Sequence, residues 1–234
     1  MNGGQAVIAR LEGVGLRYGG GREVLRGVDL ALEAGSFQFL AGPSGAGKSS
    51  LLGILALGHQ PTDGRAVIFG RDCNRLEPAE AGLLRRRIGV IFQDLRLLDH
   101  QSVFDNVALP LRIAGAGEEQ VAAMVSPLLG WLGLSEMLEE SPAHLSLGQR
   151  QLVAAARAVV TRPGLLLADE PTSSLDPTLA RRLMQLLRRL GGLGTTVLIA
   201  THQHELLAEA GQRVLWLEGG RLQQGPQEAA RACA

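Results

Sequence analysis

The sequence predicts an α/β protein with a parallel core sheet and a phosphate-binding loop at the end of one strand. Short continuous apolar runs, typical of strands that are buried on both faces, recur along the chain. One of them, Phe37–Ala41, leads directly into the glycine-rich segment Gly42–Ser49 and then into the helical pattern of Leu51–Leu55. The order strand, glycine loop, helix is the context in which G-x-x-x-x-G-K-[ST] binds nucleoside triphosphates, whereas a chance glycine turn would lack these flanks.

The strand elements follow from apolar runs that are separated by glycine turns. Strands are predicted, in chain order, at Val7–Leu11, Val28–Leu32, Phe37–Ala41, Ala66–Phe69, Ile88–Phe92, Leu165–Ala168, Thr195–Ala200, Arg213–Leu217 and Gly219–Gln223. The last two runs have the appearance of a closing pair. The early runs alternate with glycine turns, whereas the later ones read as buried strands of the core.

The stretch between about residues 94 and 161 has helical periodicity and little strand signal. Helices are predicted over Val103–Ile113 and Glu118–Trp131, and Pro110 and Pro127 are expected to break them. We therefore predict one domain, with a core formed by residues 1–93 and 162–234 and a helical subdomain inserted at about 94–161. The alanine-rich end, Gln227–Ala234, is expected to be a frayed tail.

Composition sets the broad class and excludes some functions. The 234 residues carry 23 basic and 23 acidic side chains, a formal net charge of zero. A nucleic-acid partner, which would call for a basic excess, is therefore not expected. Cys73 and Cys233 fit no metal-ligand spacing and are expected to be reduced. The start of the chain lacks a signal-peptide pattern, and no apolar run reaches the length of a membrane span, so we expect a chain that is soluble by itself.

The glycine-rich loop is the best candidate for the phosphate site. Gly42, Gly45 and Gly47 allow the backbone to turn its N–H groups toward phosphate oxygens, and the N-terminus of the next helix adds positive potential. Lys48 is expected to reach the β- and γ-phosphates, and the Ser49 hydroxyl to hold Mg²⁺. The candidate ATP contacts in this segment are Gly42, Pro43, Ser44, Gly45, Ala46, Gly47, Lys48, Ser49 and Ser50.

Two further motifs extend the site. Leu165–Glu170 is an apolar strand that ends in two carboxylates, and ligands bind at that end of parallel sheets. Asp169 is expected near Mg²⁺ and Glu170 near an attacking water as general base, although a chance Asp-Glu pair is common. Leu145–Gln149 opens a helix, for which Ser146 acting as an ordinary N-cap is the alternative interpretation.

These motifs, in this order, resemble the ATP-binding subunits of ABC (ATP-binding cassette) systems over nearly the whole chain. The resemblance implies an ABC-type nucleotide-binding domain with an antiparallel β subdomain and the inserted helical subdomain. It identifies Gly42–Ser49 as the P-loop, Leu145–Gln149 as the signature, Leu165–Glu170 as the Walker-B strand and Ser173–Asp176 as the D-loop. It also implies that Tyr18 stacks on adenine, that Gln93 contacts Mg²⁺ and senses a partner, and that His202, rather than His204, contacts the γ-phosphate.

The resemblance implies a head-to-tail homodimer that holds two ATP molecules in its interface. The catalytic residues would be Lys48, Glu170 and His202, and the Mg²⁺ ligands Ser49, Gln93 and Asp169. The residues that would act across the interface are Ser146, Gly148, Gln149 and Asp176.

Three positions depart from the family pattern. Leu147 replaces the first glycine of the usual Leu-Ser-Gly-Gly-Gln, where a positive φ would be costly for leucine. Leu152 stands where arginine is common, and Gln203 where aspartate often follows the switch histidine. We therefore expect intact ATP binding and slow hydrolysis.

Three segments, Leu84–Leu98, Val103–Leu111 and Ile113–Gly115, resemble the ABC subunits that act in bacterial cell division. That resemblance implies an FtsX-like transmembrane partner, docked at Asp94–Leu111, through which ATP-driven closure controls peptidoglycan hydrolysis. The chain would be peripheral on the cytoplasmic side of the inner membrane and would contact the membrane only through this partner. Two alternatives stay open: the ATPase of a lipoprotein-releasing or macrolide-type exporter, and a nucleotide-gated scaffold with little hydrolysis.

Overall fold

A computed structural model describes residues 6–19, 21–203, 206–207 and 213–223. The strands in these ranges are β1 (Val7–Arg17), β2 (Glu23–Glu33), β3 (Phe37–Ala41), β4 (Asp63–Ile68), β5 (Arg71–Asp72), β6 (Ile88–Ile91), β7 (Leu165–Asp169), β8 (Thr196–Ala200), β9 (Arg213–Glu218) and β10 (Arg221–Gln223). The α-helices are α1 (Lys48–Leu55), α2 (Pro78–Arg85), α3 (Val103–Ile113), α4 (Glu118–Trp131), α5 (Leu147–Val159) and α6 (Pro177–Gly192). His204, Cys233 and the predicted tail at Gln227–Ala234 lie outside the described residues.

The larger sheet has the strand order β10-β9-β3-β8-β7-β6 and confirms the predicted α/β core. Its strands from β9 to β6 run parallel, and β10 pairs antiparallel with β9. Apolar side chains on both faces of β7 and β8 are fully buried, which explains their continuous apolar sequence. In the register, Leu40 and Asp169 both pair with Ala200, so the carboxyl ends of β3, β7 and β8 meet at one edge.

The smaller sheet is antiparallel, with the order β2-β1-β4-β5. Strands β1 and β2 extend well beyond the predicted Val7–Leu11 and Val28–Leu32. The second half of β1 is not predicted because Gly13 and Gly15 interrupt its apolar pattern. The strand pairing shifts register in this region, as at a β-bulge. Gly13 has a φ of 58°, which suits glycine at such a kink.

The helices α3, α4 and α5 lie between β6 and β7 in the chain, and α3 and α4 have the predicted bounds. The expectation that Pro110 and Pro127 break them is wrong, because both prolines lie inside the helices. A proline removes one hydrogen bond and costs about 3 kcal/mol in a helix interior. Burial of the apolar face, which in α4 comprises Val121, Val125 and Leu129, offsets that cost.

None of the helices in the described part of the chain is long and apolar enough to cross a membrane. Cys73 is a buried free thiol, and burial raises the pKa of this thiol to about 11.

Candidate functional site

The glycine loop joins β3 to α1 and is shaped by close backbone contacts. Gly42 has a φ of 149°, and a Cβ there would overlap the carbonyl oxygen of Leu217 in β9. Gly47 has a φ of 106°, and its Cβ would lie 3.1 Å from the carbonyl oxygen of Val24 in β2. Both positions therefore favour glycine, Gly42 because a Cβ would overlap the main chain and Gly47 because its φ is strongly positive.

Lys48 is the first residue of α1 and is only 9% exposed. Its Nζ donates to the carbonyl oxygens of Gly42 at 2.7 Å and Pro43 at 3.1 Å, so the ammonium group lies within the loop. The first turn of α1 contains no acidic residue, and no side chain caps the helix at Gly47. A site for a phosphate chain is thus formed by the Lys48 ammonium group, the free N–H groups at the start of α1 and the glycine loop.

Asp169 ends β7 next to the P-loop helix. Burial raises the pKa of its carboxyl group, and the charges of Glu170 and Asp94 raise it further. A hydrogen bond from Ser49 and the charge of Lys48 act in the opposite direction. A nearby cation would stabilise the charged form of this carboxylate, which burial disfavours.

The pair Ser49 and Asp169 fits Mg²⁺ chemically, because this ion prefers oxygen ligands and often combines one carboxylate with substrate phosphates and water. Within the described ranges no group of three or more His, Cys, Asp or Glu side chains is arranged for a metal. An ion at this position would therefore depend on the nucleotide for several of its ligands.

Glu170 follows Asp169 with a φ of 49°, which is uncommon for a residue with a Cβ. Its carboxylate is buried and accepts from the Thr201 hydroxyl at 3.0 Å and from the His202 backbone N–H at 3.0 Å. The Nδ1 atom of His202 lies 2.6 Å from the same carboxylate. A strained backbone and three contacts, made by Thr201 and His202, thus hold the proposed general base in place.

Gln203, the third departure from the family pattern, stays in contact with this segment. Its side-chain oxygen accepts from the Thr172 hydroxyl at 2.9 Å, and its backbone N–H donates to Thr201. Glutamine therefore connects β8 to the loop after β7.

Gln151 is a site residue that the sequence reasoning missed. It lies on α5, is 2% exposed, and donates from Nε2 to the carbonyl oxygen of Glu170 at 2.9 Å. Its Oε1 accepts from the backbone N–H of Ser174 at 3.3 Å. One amide therefore connects α5 to Glu170 at the end of β7 and to Ser174 in the loop that follows. Only its position two residues after Gln149 in the signature could have suggested it.

The signature residues cap their own helix. Ser146 Oγ accepts from the Gln149 N–H at 3.3 Å, and the Gln149 side chain accepts from the Ser146 N–H at 2.8 Å, a complete capping box. Leu147 begins the helix without a positive φ and is 59% exposed, so the expected backbone strain does not arise. Leu152 is buried in the core. Asp176 likewise caps α6 by accepting from two backbone N–H groups.

Gln93 is exposed just after β6, and the segment that follows it is strained. Leu95 and Arg96 have φ values of 57° and 51°. The Arg157 guanidinium on α5 donates to both of their carbonyl oxygens at 2.6 Å. Burial lowers the pKa of Arg157, and these carbonyl groups satisfy its charged guanidinium. Nothing in the local sequence pattern indicated this contact.

Tyr18 lies in the turn between β1 and β2 and is 41% exposed. Its hydroxyl is 3.1 Å from Ser50 Oγ, so the side chain lies beside α1, and its stacking on adenine stays a prediction.

The fold thus brings the P-loop, the two carboxylates and His202 to one edge of the core sheet. In the described ranges no hydrogen bond joins Ser146 or Gly148 to the P-loop.

Comparison with known proteins decides the family. The family model described as ABC transporter matches residues 25–173. The chain belongs to this family. It is 43% identical to the cell division ATP-binding protein FtsE of Escherichia coli K12 over 216 residues, which cover 92% of this chain and 97% of that protein. It is 41% identical to the methionine import ATP-binding protein MetN of Cupriavidus metallidurans, covering 91% of this chain and 63% of that relative's length.

Solved structures agree with this assignment. A dimeric, post-hydrolysis structure of the ATP-binding cassette MJ0796 with ADP and Pi superimposes with a TM-score of 0.87 at 33% identity, covering 92% of this chain and 97% of that one. The predicted cassette fold is confirmed, and the chain is an ABC-type ATPase.

Proposed function

We propose that two copies of this chain enclose Mg-ATP, hydrolyse it, and drive an FtsX-like membrane partner in bacterial cell division. The observation that carries the proposal is the 43% identity to FtsE, which extends along 97% of that protein. The chain would then work on the cytoplasmic side of the inner membrane and reach the membrane through its partner.

In this proposal each ATP contacts the P-loop of one copy and the signature of the other. Lys48 binds the β- and γ-phosphates, Ser49 and Asp169 hold Mg²⁺ together with Gln93, and Tyr18 stacks on adenine. Glu170 orients and deprotonates the attacking water, and His202 contacts the γ-phosphate. The geometry supports these roles because the P-loop and Glu170 meet at one edge of the sheet.

The partner copy would supply Ser146, Gly148, Gln149 and Asp176. The N-terminus of α5 is exposed, and the capping box formed by Ser146 and Gln149 fixes its backbone. Its free N–H groups can therefore stabilise γ-phosphate charge across an interface. The dimeric structures of MJ0796, one of them bound to ADP and Pi, support a dimer of this chain. ATP then acts as a ligand that favours the closed pair over the open one.

The helical subdomain, at about residues 94–161, would provide the docking site for the membrane partner at Asp94–Leu111. Leu98 is partly exposed there and lies outside the packed core clusters, so part of its apolar surface is available to a partner helix.

A methionine importer is the second candidate, because MetN is similar at nearly the same identity. Affinity-tagged chain, incubated with ATP and detergent-solubilised membranes of the source bacterium, distinguishes the two. Capture of a membrane protein with four spans and a large periplasmic loop supports the division role. Capture of an importer permease contradicts it.

The same capture experiment tests the docking site. Leu98→Asp should abolish recovery of the partner, since it places a charge in the proposed apolar contact. Leu193→Asp, at a leucine that is 79% exposed near the end of α6, is the matched control and should leave recovery unchanged. Equal recovery with both variants would exclude Leu98 from the contact.

A further inference from the structure

We infer that His59 is a positioning residue for Tyr18, which it holds against the P-loop helix so that the base-stacking ring is in place before ATP binds. The inference rests on the proposed role of Tyr18 in stacking. It assigns a nucleotide-affinity role to a residue outside every motif of the sequence.

The contact between the two residues is both polar and aromatic. The Tyr18 hydroxyl lies 3.3 Å from His59 Nε2 and 3.1 Å from Ser50 Oγ. The two rings are nearly perpendicular, at 88°, with centroids 5.5 Å apart, which is a favourable edge-to-face arrangement. Tyr18 is thus fixed at its hydroxyl end by one residue of α1 and by one residue beyond it.

The position of His59 is itself set by a glycine in α1. A Cβ on Gly53 would overlap His59 Cδ2 and lie 3.0 Å from its Nε2, so any side chain there would displace the imidazole. The Gly53 carbonyl oxygen also accepts from the N–H groups of Gly58 and His59, at 2.8 and 3.2 Å. Glycine is a poor residue inside a helix, but here it makes room for the histidine ring.

The contacts of Tyr18 with His59 and Ser50 lower the entropic cost of ordering its ring when ATP binds. A tyrosine that is 41% exposed in a turn would otherwise lose rotamer freedom when a base stacks on it. His59 and Ser50 have restricted the ring already, and Ser50 follows Lys48 and Ser49 in the same helical turn. The base platform and the phosphate loop are thereby held at a fixed spacing. His59 should therefore affect affinity for the whole nucleotide and leave the chemical step unchanged.

The test is a double-mutant cycle of His59→Ala and Gly53→Ala, with the dissociation constants of ATP and of inorganic tripolyphosphate as readouts. Each single variant should weaken ATP binding about 3- to 10-fold, the equivalent of one hydrogen bond. Binding of tripolyphosphate, which has no base, should stay unchanged, as should kcat. The double variant should be no weaker than either single one, because both changes remove the same contact.

Gly82→Ala is the matched control, since a Cβ at this helical glycine in α2 would have no other atom within 4 Å. It should not change ATP binding. Equal weakening of ATP and tripolyphosphate by His59→Ala would overturn the inference, because His59 would then act on the P-loop itself. Additive single effects would also overturn it. Tyr18→Ala separates the stacking role of Tyr18 from the positioning role of His59. If Tyr18→Ala leaves ATP affinity intact, both roles fail. If Tyr18→Ala weakens ATP binding and His59→Ala does not, only the role of His59 fails.

Discussion

Replacing Gln151 by methionine should impair both stability and catalysis, and the structure sets the size of each effect. Methionine has a similar length but cannot make either of the hydrogen bonds of this amide. The Glu170 carbonyl oxygen would keep the bond from the Ser173 hydroxyl at 3.1 Å, whereas the Ser174 N–H would lose its partner.

One lost hydrogen bond and one unsatisfied, half-buried N–H together cost about 1.5–3 kcal/mol in the free energy of unfolding. For a chain of 234 residues this corresponds to a fall in Tm of roughly 3–12 °C, measured by calorimetry without nucleotide. Because the P-loop is untouched, the KM for ATP should change less than about threefold.

The catalytic effect should be larger than the loss of stability suggests. Glu170 has a positive φ, and Gln151 helps to hold its backbone in place. A displacement of about 1 Å can cost roughly 100-fold in rate, so we expect kcat to fall about 10- to 100-fold. Gln120→Met, on the exposed side of α4, is the control and should change neither quantity. A lowered Tm with an unchanged kcat would refute the reasoning, because Gln151 would then serve the fold alone.

Three further predictions follow from single contacts. Leu147→Gly should raise the steady-state ATPase rate, because in the proposed dimer the exposed leucine side chain would stand between the signature backbone and the other copy's ATP; an unchanged rate would count against slow turnover. Arg157→Met should loosen the strained segment at Leu95 and Arg96, seen as faster amide hydrogen exchange there, and protection equal to that of the parent chain would contradict it. Because burial raises the pKa of Asp169 in the folded chain, its contribution to the free energy of unfolding falls as pH rises from about 4 toward the folded-state pKa. In urea titrations of the nucleotide-free chain, the stabilisation by Asp169→Asn should therefore grow from pH 4 to pH 7.5. A stabilisation that does not change with pH would refute this expectation.

The parts of the fold that the sequence predicts are those with a local signal. Strand β3 and helices α3 and α4 have the predicted bounds because apolar spacing alone defines them. The second half of β1 escapes prediction because glycines break its pattern, and the proline expectation fails because tertiary burial outweighs a local cost.

The same distinction holds at the site. The P-loop and the Asp169–Glu170 pair are contiguous motifs, so the sequence alone is enough to identify them as candidate site residues. Gln151, Arg157 and His59 act through contacts with residues 19 to 62 positions away, and a one-dimensional pattern gives no sign of such pairs. Tertiary packing creates these contacts, and only the folded chain reveals them.

The central claim, that two copies enclose ATP, is tested most directly by the solution mass of the Glu170→Gln variant with Mg-ATP. Without its general base the chain should bind ATP and hydrolyse it very slowly, so the closed state accumulates. Light scattering after size exclusion should give twice the chain mass of 24.8 kDa with ATP and the single mass with ADP, and adding Lys48→Ala should abolish the change. A single mass at saturating ATP, with binding verified independently, would contradict the account.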